Sequence, residues 1–189
     1  EVEESRPVNV FTGIDPASST KKGADYSVIF NIAVDSDNNR WILPYFRKRA
    51  TPLDLADSII DNFKNFKSAK TRIESVGYQE MLRQYIKEKA EEMGMFIPGL
   101  EIKENPRTSK SYRLESLQPL FANKKVHIQK NMQAFIDELT LYPRGKHDDL
   151  LDGFFYANKN CYKPAHDSTE KKQENPWYMQ KKAKSWKLL

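Results

Sequence analysis

A chain of 189 residues with a net charge of +5 has room for one substantial core, the usual domain being about 100–200 residues long. Its 39% hydrophobic and 12% aromatic content is that of a folded globular protein; no run of about 18 apolar residues is present to span a membrane, and the opening Glu1-Val2-Glu3-Glu4 is unlike a secretory leader. Cys161 is the only cysteine, which excludes an internal disulfide and a cysteine-rich zinc site and fits a reducing compartment.

Residues 1–7, which start without Met and end on Pro7, read as a linker from a preceding domain. Val8 to Ile14 is an apolar run that predicts a strand ending on Asp15, between Gly13 and Pro16. "DYSVIFNIAVDSD" predicts a second strand and "NNRWILPYFRKRA" a third, with Asp37-Asn38-Asn39 as the turn between them, so that three antiparallel strands open the fold. In "TPLDLADSIIDNFKNF" a capping Thr51, Pro52 at the first helical position and apolar Leu55, Ile59, Ile60 and Phe63 predict a helix. "AKTRIESVG" is a short strand carrying Glu74 at its end, and "YQEMLRQYIKEKAEEMG" is an amphipathic helix closed by Gly94. Further on, "SYRLESLQPLFA" and "NMQAFIDELTLY" are helical with "KKVHI" as a strand between them, and "KHDDLLDGFFYANKNCY" is the last helix.

From Lys163 onward seven lysines face three acids, so most of the positive charge sits in a basic tail, 163–189, and residues 1–162, the linker and the body 8–162 together, are close to neutral. The tail is low in aliphatic residues before Trp177 and reads as an extension with a short helix near 178–187. Lys181, Lys182 and Lys184 there are either contacts to DNA or a partner, or ordinary solvated charge.

A hairpin sheet followed by alternating helices and strands predicts an α/β architecture, a mixed β-sheet covered by helices. Ligand sites in such sheets gather at strand ends and helix N-termini. Acids occupy those places: Asp15 ends the first strand, Glu74 ends a later one, and Asp148, Asp149 and Asp152 open the last helix. Asp149 and Asp152, three apart, project from one helical face, whereas Asp148 is rotated about 100° from Asp149. Like charges so gathered repel unless a cation compensates them, and an all-oxygen donor set suits Mg²⁺ or Mn²⁺. Two such ions about 3.5–4 Å apart activate a water and stabilise the leaving oxygen in phosphodiester hydrolysis. Gly13 and Gly77 would leave room for close approach of backbone or substrate.

"GIDPASSTKKGADYSVI", "RIESVGYQEMLRQYI" and "YPRGKHDDLLDGFFYA" together resemble the nuclease domain of the large terminase subunit of tailed bacteriophages, a member of the RNase H-like fold. The resemblance covers about residues 8–160. It implies that Asp15, Glu74 and Asp149 are catalytic and bind two metal ions, with Asp152 as a further ligand. The family's last motif usually ends in Asp-Ala; Asp152-Gly153 here departs from it, which bears on how the last helix packs. The implied activity is a metal-dependent endonuclease that cuts concatemeric viral double-stranded DNA at the start and end of packaging, in the cytoplasm of the infected bacterium. The implied partners are an ATPase domain of the same chain, whose phosphate-binding Gly-Lys-Ser/Thr loop does not occur in these residues, the portal and the small terminase subunit.

His147 either contacts the scissile phosphate or tunes a metal-bound water, or caps the helix; Asp148 faces solvent or backbone amides. Lys21, Lys22, Lys110 and Arg113 are candidate phosphate contacts, the plain alternative being solvated charge. A junction resolvase or transposase of the same fold, and a non-catalytic DNA-gripping or portal-docking module, are the alternative functions.

Overall fold

The structure is a computed structural model that describes residues 7–17, 25–74, 79–100, 103–104, 109–159, 161–165 and 186–188. Lys21, Lys22, Gly77, Lys181, Lys182 and Lys184 lie outside the described residues. Among the described residues no helix is long and apolar enough to cross a membrane.

Strand β1 (Val8–Asp15) pairs antiparallel with β2 (Ser27–Asp35), and β2 pairs with both β3 (Arg40–Ile42) and β4 (Phe46–Lys48). The turn before β3 is built on Asp35, whose carboxylate accepts from the amides of Asp37 (3.0 Å) and Asn39 (2.9 Å), while Asn38 takes a left-handed φ of 63°. The predicted third strand is two short ones. Pro44 has no N–H to offer the ladder; at this break the Leu43 amide bonds the Asn31 carbonyl (3.0 Å) and the Asn31 side chain donates to the Pro44 carbonyl (2.9 Å).

Helix α1 (Pro52–Phe66) starts as the sequence predicts, the Asp54 amide donating to Thr51 Oγ1 at 3.2 Å. Strand β5 (Lys70–Glu74) then runs parallel to β1, Ile73 opposite Ile14, so Asp15 and Glu74 each follow this pair at the same edge. Helix α2 (Gln79–Glu92) and β6 (Lys103–Glu104) follow. The stretch predicted as one helix at 111–122 is α3 (Lys110–Glu115) and α4 (Gln118–Ala122), because Pro119 belongs in a first turn and interrupts a longer helix. Strand β7 (Val126–Gln129), α5 (Gln133–Leu141) and α6 (Asp149–Asn158) complete the body. β8 (Trp186–Leu188) pairs antiparallel with β7, so residues 186 and 187 are extended where the sequence predicts a helix; the open edge of β7 supplies the backbone partners that a helix would have found within itself.

The sheet order is β6-β5-β1-β2-β3-β7-β8, with β4 beside β2. Strand β2 is buried along its whole length and alternates between two cores. Val28, Phe30, Ile32 and Val34 face Phe135, Leu150 and Phe154 on the α5–α6 side, and Ile29 faces Leu55, Ile59 and Ile86 on the α1–α2 side. Each Phe or Ile so buried contributes about 1.5–3 kcal/mol, and the two layers fix which way every strand end points.

Helix α6 lies against β1 and β2 with almost no exposed surface. Two glycines permit it. A Cβ on Gly13 would overlap the Gly153 carbonyl oxygen and the Ala157 amide nitrogen, and one on Gly153 would come within 2.8 Å of Val28 Cγ1 and 2.9 Å of Phe30 Cβ. Gly153 is therefore part of the close packing of this helix.

Candidate metal centre

The ends of β1 and β5 and the first turn of α6 meet at one edge of the sheet. Asp15 and Glu74 lie close enough for the Glu74 carboxylate to raise the Asp15 pKa. Glu74 Oε1 accepts from the Tyr156 hydroxyl at 2.7 Å, and Arg113 Nη1 stands 3.0 Å from that hydroxyl and 3.7 Å from Glu74 Oε1. Asp149 and Asp152 are each only 6% exposed. Asp152 Oδ2 lies 2.7 Å from Lys110 Nζ, and its Oδ1 lies 3.4 Å from Arg113 Nη1, beyond which that oxygen is buried with no hydrogen bond.

Asp149 faces a second group. Its Oδ2 accepts a long 3.4 Å bond from the Tyr26 amide and lies 3.6 Å from His147 Nδ1 and 4.0 Å from Arg47 Nη2. Asp25, His147 and Asp149 each bring a ligand atom within 4.8 Å of the others. Tyr26 carries the guanidinium groups of Arg47 and Arg49 over its ring, 4.1 and 4.3 Å from its centre, and meets the His147 ring edge-on.

The electrostatics show an excess of negative charge. Desolvation pushes the Asp15 carboxyl well above its usual pKa, and the carboxylates of Asp152, Glu74 and Asp149 push it further. Asp149 is raised by burial, against the Tyr26 amide, and Asp152 is raised by burial even though Lys110 and Arg113 oppose it. Lys110 is itself partly desolvated, yet Asp148 and Asp152 hold its pKa above the ordinary lysine value. Among the described residues, Asp25, His147 and Asp149 are the group whose donor atoms converge closely enough for one divalent cation; Asp15, Glu74 and Asp152 act on one another electrostatically, and a buried oxygen of Asp152 and the buried Nδ1 of His147 have no hydrogen-bond partner.

Of the acids singled out in the sequence, Asp152, Glu74 and Asp149 all act electrostatically on Asp15. Asp148 is the N-cap residue of α6 but makes no side-chain cap; its Oδ1 pairs with Lys110 Nζ at 2.6 Å. His147 does not cap the helix either, being turned toward Asp149 and Tyr26. Lys110 and Arg113 lie against the acids, Arg113 being buried.

Sequence reasoning passed over Asp25, Tyr156, Arg47 and Glu138. Asp25 had a signal, since it stands two residues before β2 and the hairpin returns it to the Asp15 end of β1. Glu138 had a fainter one, an acid three residues from Phe135 on the buried face of α5. Its Oε2 accepts from the amides of Leu150 (2.8 Å) and Leu151 (3.4 Å), and its Oε1 accepts from Arg47 Nη2 at 3.0 Å.

Burial pushes the Glu138 carboxyl up to about 7, against Arg47 and the two amides. With the folded pKa above the unfolded one, the protonated form favours the folded state: full stability holds below the unfolded pKa, near 4.5, and is lost as pH rises through 7, by up to about 3 kcal/mol. Glu138→Gln, which is neutral at every pH, should therefore gain stability relative to the wild type between pH 5 and pH 8. Urea unfolding at the two pH values measures the difference, and parallel curves would show that burial of this carboxyl has no such cost.

The family described as the terminase RNaseH-like domain matches residues 12–160. No curated protein sequence gives a significant match. Among solved structures, the large terminase nuclease from thermophilic phage G20c with bound zinc is 22% identical, with a TM-score of 0.58 over 84% of this chain and 85% of that one. The same nuclease with bound magnesium is 23% identical, with a TM-score of 0.54 over the same shares of 84% and 85%. The yeast mitochondrial Holliday junction resolvase is 16% identical, with a TM-score of 0.50 over 80% of this chain and 78% of that one.

Proposed function

Because this chain belongs to the terminase RNaseH-like domain family, we propose that it is a metal-dependent endonuclease acting on double-stranded DNA. Its role is to cut concatemeric viral DNA when packaging begins and ends, in the cytoplasm of the infected bacterium, alongside an ATPase domain of the same chain, the portal and the small terminase subunit. The observation that carries this reading is the electrostatic grouping of Asp15, Glu74, Asp149 and Asp152 where the ends of β1 and β5 meet α6, the carboxyls of Asp15, Asp149 and Asp152 being raised by burial and an oxygen of Asp152 being buried without a hydrogen bond.

These four acids would hold two Mg²⁺ or Mn²⁺ ions, with Asp25 and His147 beside Asp149 as further donors. When bound, such ions supply Lewis-acid stabilisation of the phosphoryl oxygens and a nucleophilic water near neutral pH. The chain's own residues set the acids in place. The Tyr156 hydroxyl orients Glu74, the Tyr26 amide orients Asp149, and Lys110 and Arg113 hold Asp152. Lys48 and Arg49 are exposed, Arg49 over the Tyr26 ring, and offer positive charge to phosphates approaching the acids; Lys21 and Lys22, outside the described residues, are further candidate phosphate contacts. Lys110 and Arg113 contribute by limiting the repulsion among acids before metal and DNA arrive.

Supercoiled plasmid incubated with the protein and Mg²⁺ or Mn²⁺ should be nicked and then linearised, and a chelator should stop all cutting. Cutting that persists in chelator would overturn the metal mechanism. A protein that bound plasmid but never cut it would be a DNA-gripping module.

A further inference from the structure

We propose that Glu138 is a positioning residue for the metal centre. From α5 it caps the helix that carries Asp149 and Asp152, and through Arg47 it ties that cap to the Asp149 carboxylate. The proposal rests on the nuclease reading and assigns a role to two residues outside the acid group.

The first amides of an α-helix have no partner within the helix and need an acceptor. In α6 the residue that should supply one does not. Asp148 stands at the N-cap with φ −146° and ψ 17°, makes no side-chain cap, and has its carboxylate engaged by Lys110. The acceptor comes from another helix: Glu138 Oε2 takes the Leu150 amide at 2.8 Å and the Leu151 amide at 3.4 Å. Glu138 is 5% exposed, so no bulk water can replace it. These amides lie between the two acids, in the turn that sets their directions.

The other oxygen extends the contact to the site itself. Glu138 Oε1 accepts from Arg47 Nη2 at 3.0 Å, and the same nitrogen stands 4.0 Å from Asp149 Oδ2. One guanidinium thus bridges the cap and a candidate ligand. Arg47 is held in turn by Tyr26, over whose ring it lies and whose amide donates to Asp149. Strand β4, helix α5 and helix α6 are coupled at one carboxylate.

Glu138→Asp keeps the charge and withdraws the acceptor by one methylene; Glu138→Gln removes the charge and keeps an acceptor in place. In the metal-free protein, Glu138→Asp should speed amide exchange at Leu150 and Leu151. It should also raise the midpoint of Mn²⁺ binding, read from free Mn²⁺ by electron paramagnetic resonance, by about 10–100-fold, the usual effect of losing a group that orients ligands. Glu138→Gln, whose amide oxygen can still accept from the helix while its NH2 group would face Arg47 Nη2, keeps the cap but loses the tie to Arg47, so its midpoint should lie between those of the wild type and Glu138→Asp. Circular dichroism identifies folded variants. A folded Glu138→Asp with the wild-type Mn²⁺ midpoint, or a Glu138→Gln as impaired as Glu138→Asp, overturns the proposal. A wild-type protein that bound no Mn²⁺ would sink the nuclease reading instead, and exchange at Leu150 and Leu151 would still decide whether Glu138 caps the helix.

Discussion

Asp15→Asn is expected to abolish plasmid cleavage while raising the melting temperature of the metal-free protein. Groups that merely orient metal ligands cost about 10–100-fold when removed, so loss of a ligand should exceed about 100-fold. The stability effect has the opposite sign because Asp15 is desolvated and repelled by Asp152, Glu74 and Asp149. Its folded pKa lies above the unfolded one, so the metal-free fold loses stability as pH rises through the folded value. Asn is isosteric and carries no charge, and should remove both that slope and its cost at neutral pH. Cleavage assays and thermal unfolding on the same preparation separate this from ordinary damage, which would lower both quantities. An active Asp15→Asn would remove Asp15 from the centre.

Gly13→Ala is expected to be the most destabilising single-methyl change in the body of the fold. The added Cβ would overlap main-chain atoms of Gly153 and Ala157, and backbone cannot step aside as the end of a side chain can. Overpacking costs about 1–3 kcal/mol where side chains can adjust, and occasionally more; here the whole of α6 would have to lift from β1. Each kcal/mol lowers the melting temperature of a protein of this size by about 2–4 °C. Cleavage should fall further than stability accounts for, because Asp149 and Asp152 ride on the displaced helix. A Gly13→Ala protein with wild-type melting temperature and activity would show that α6 does not sit as closely on β1 as described.

The legible parts of this site were those with local signals. Asp15 and Glu74 end recognisable apolar strands, and Asp149 and Asp152 show helical spacing at the start of a recognisable helix; parallel pairing of β1 with β5 then sets the first two side by side. The mixed sheet followed from the order of the elements. What escaped depends on distant partners. Glu138 is legible as an acid on a buried helical face, but its role depends on amides of another helix and on Arg47 in β4. The division of the third strand turns on Asn31 as much as on Pro44. Charge type was visible for Lys110 and Arg113, whereas their direction, against Asp152, came only from the packing of α3 beside α6.

The central claim, that these acids form a divalent-metal site, is tested most directly by thermal unfolding of the wild type and Asp149→Asn with and without Mn²⁺ at fixed ionic strength. An ion that binds only the folded state adds about 2.7 kcal/mol at a hundred times its Kd, which for a protein of this size is roughly 5–10 °C. The wild type should melt higher with Mn²⁺. Asp149→Asn, relieved of a buried carboxylate whose pKa burial has raised, should melt higher than the wild type without metal and gain less when Mn²⁺ is added. An Asp149→Asn protein with the full wild-type response to Mn²⁺, or a wild type with none, would contradict the account.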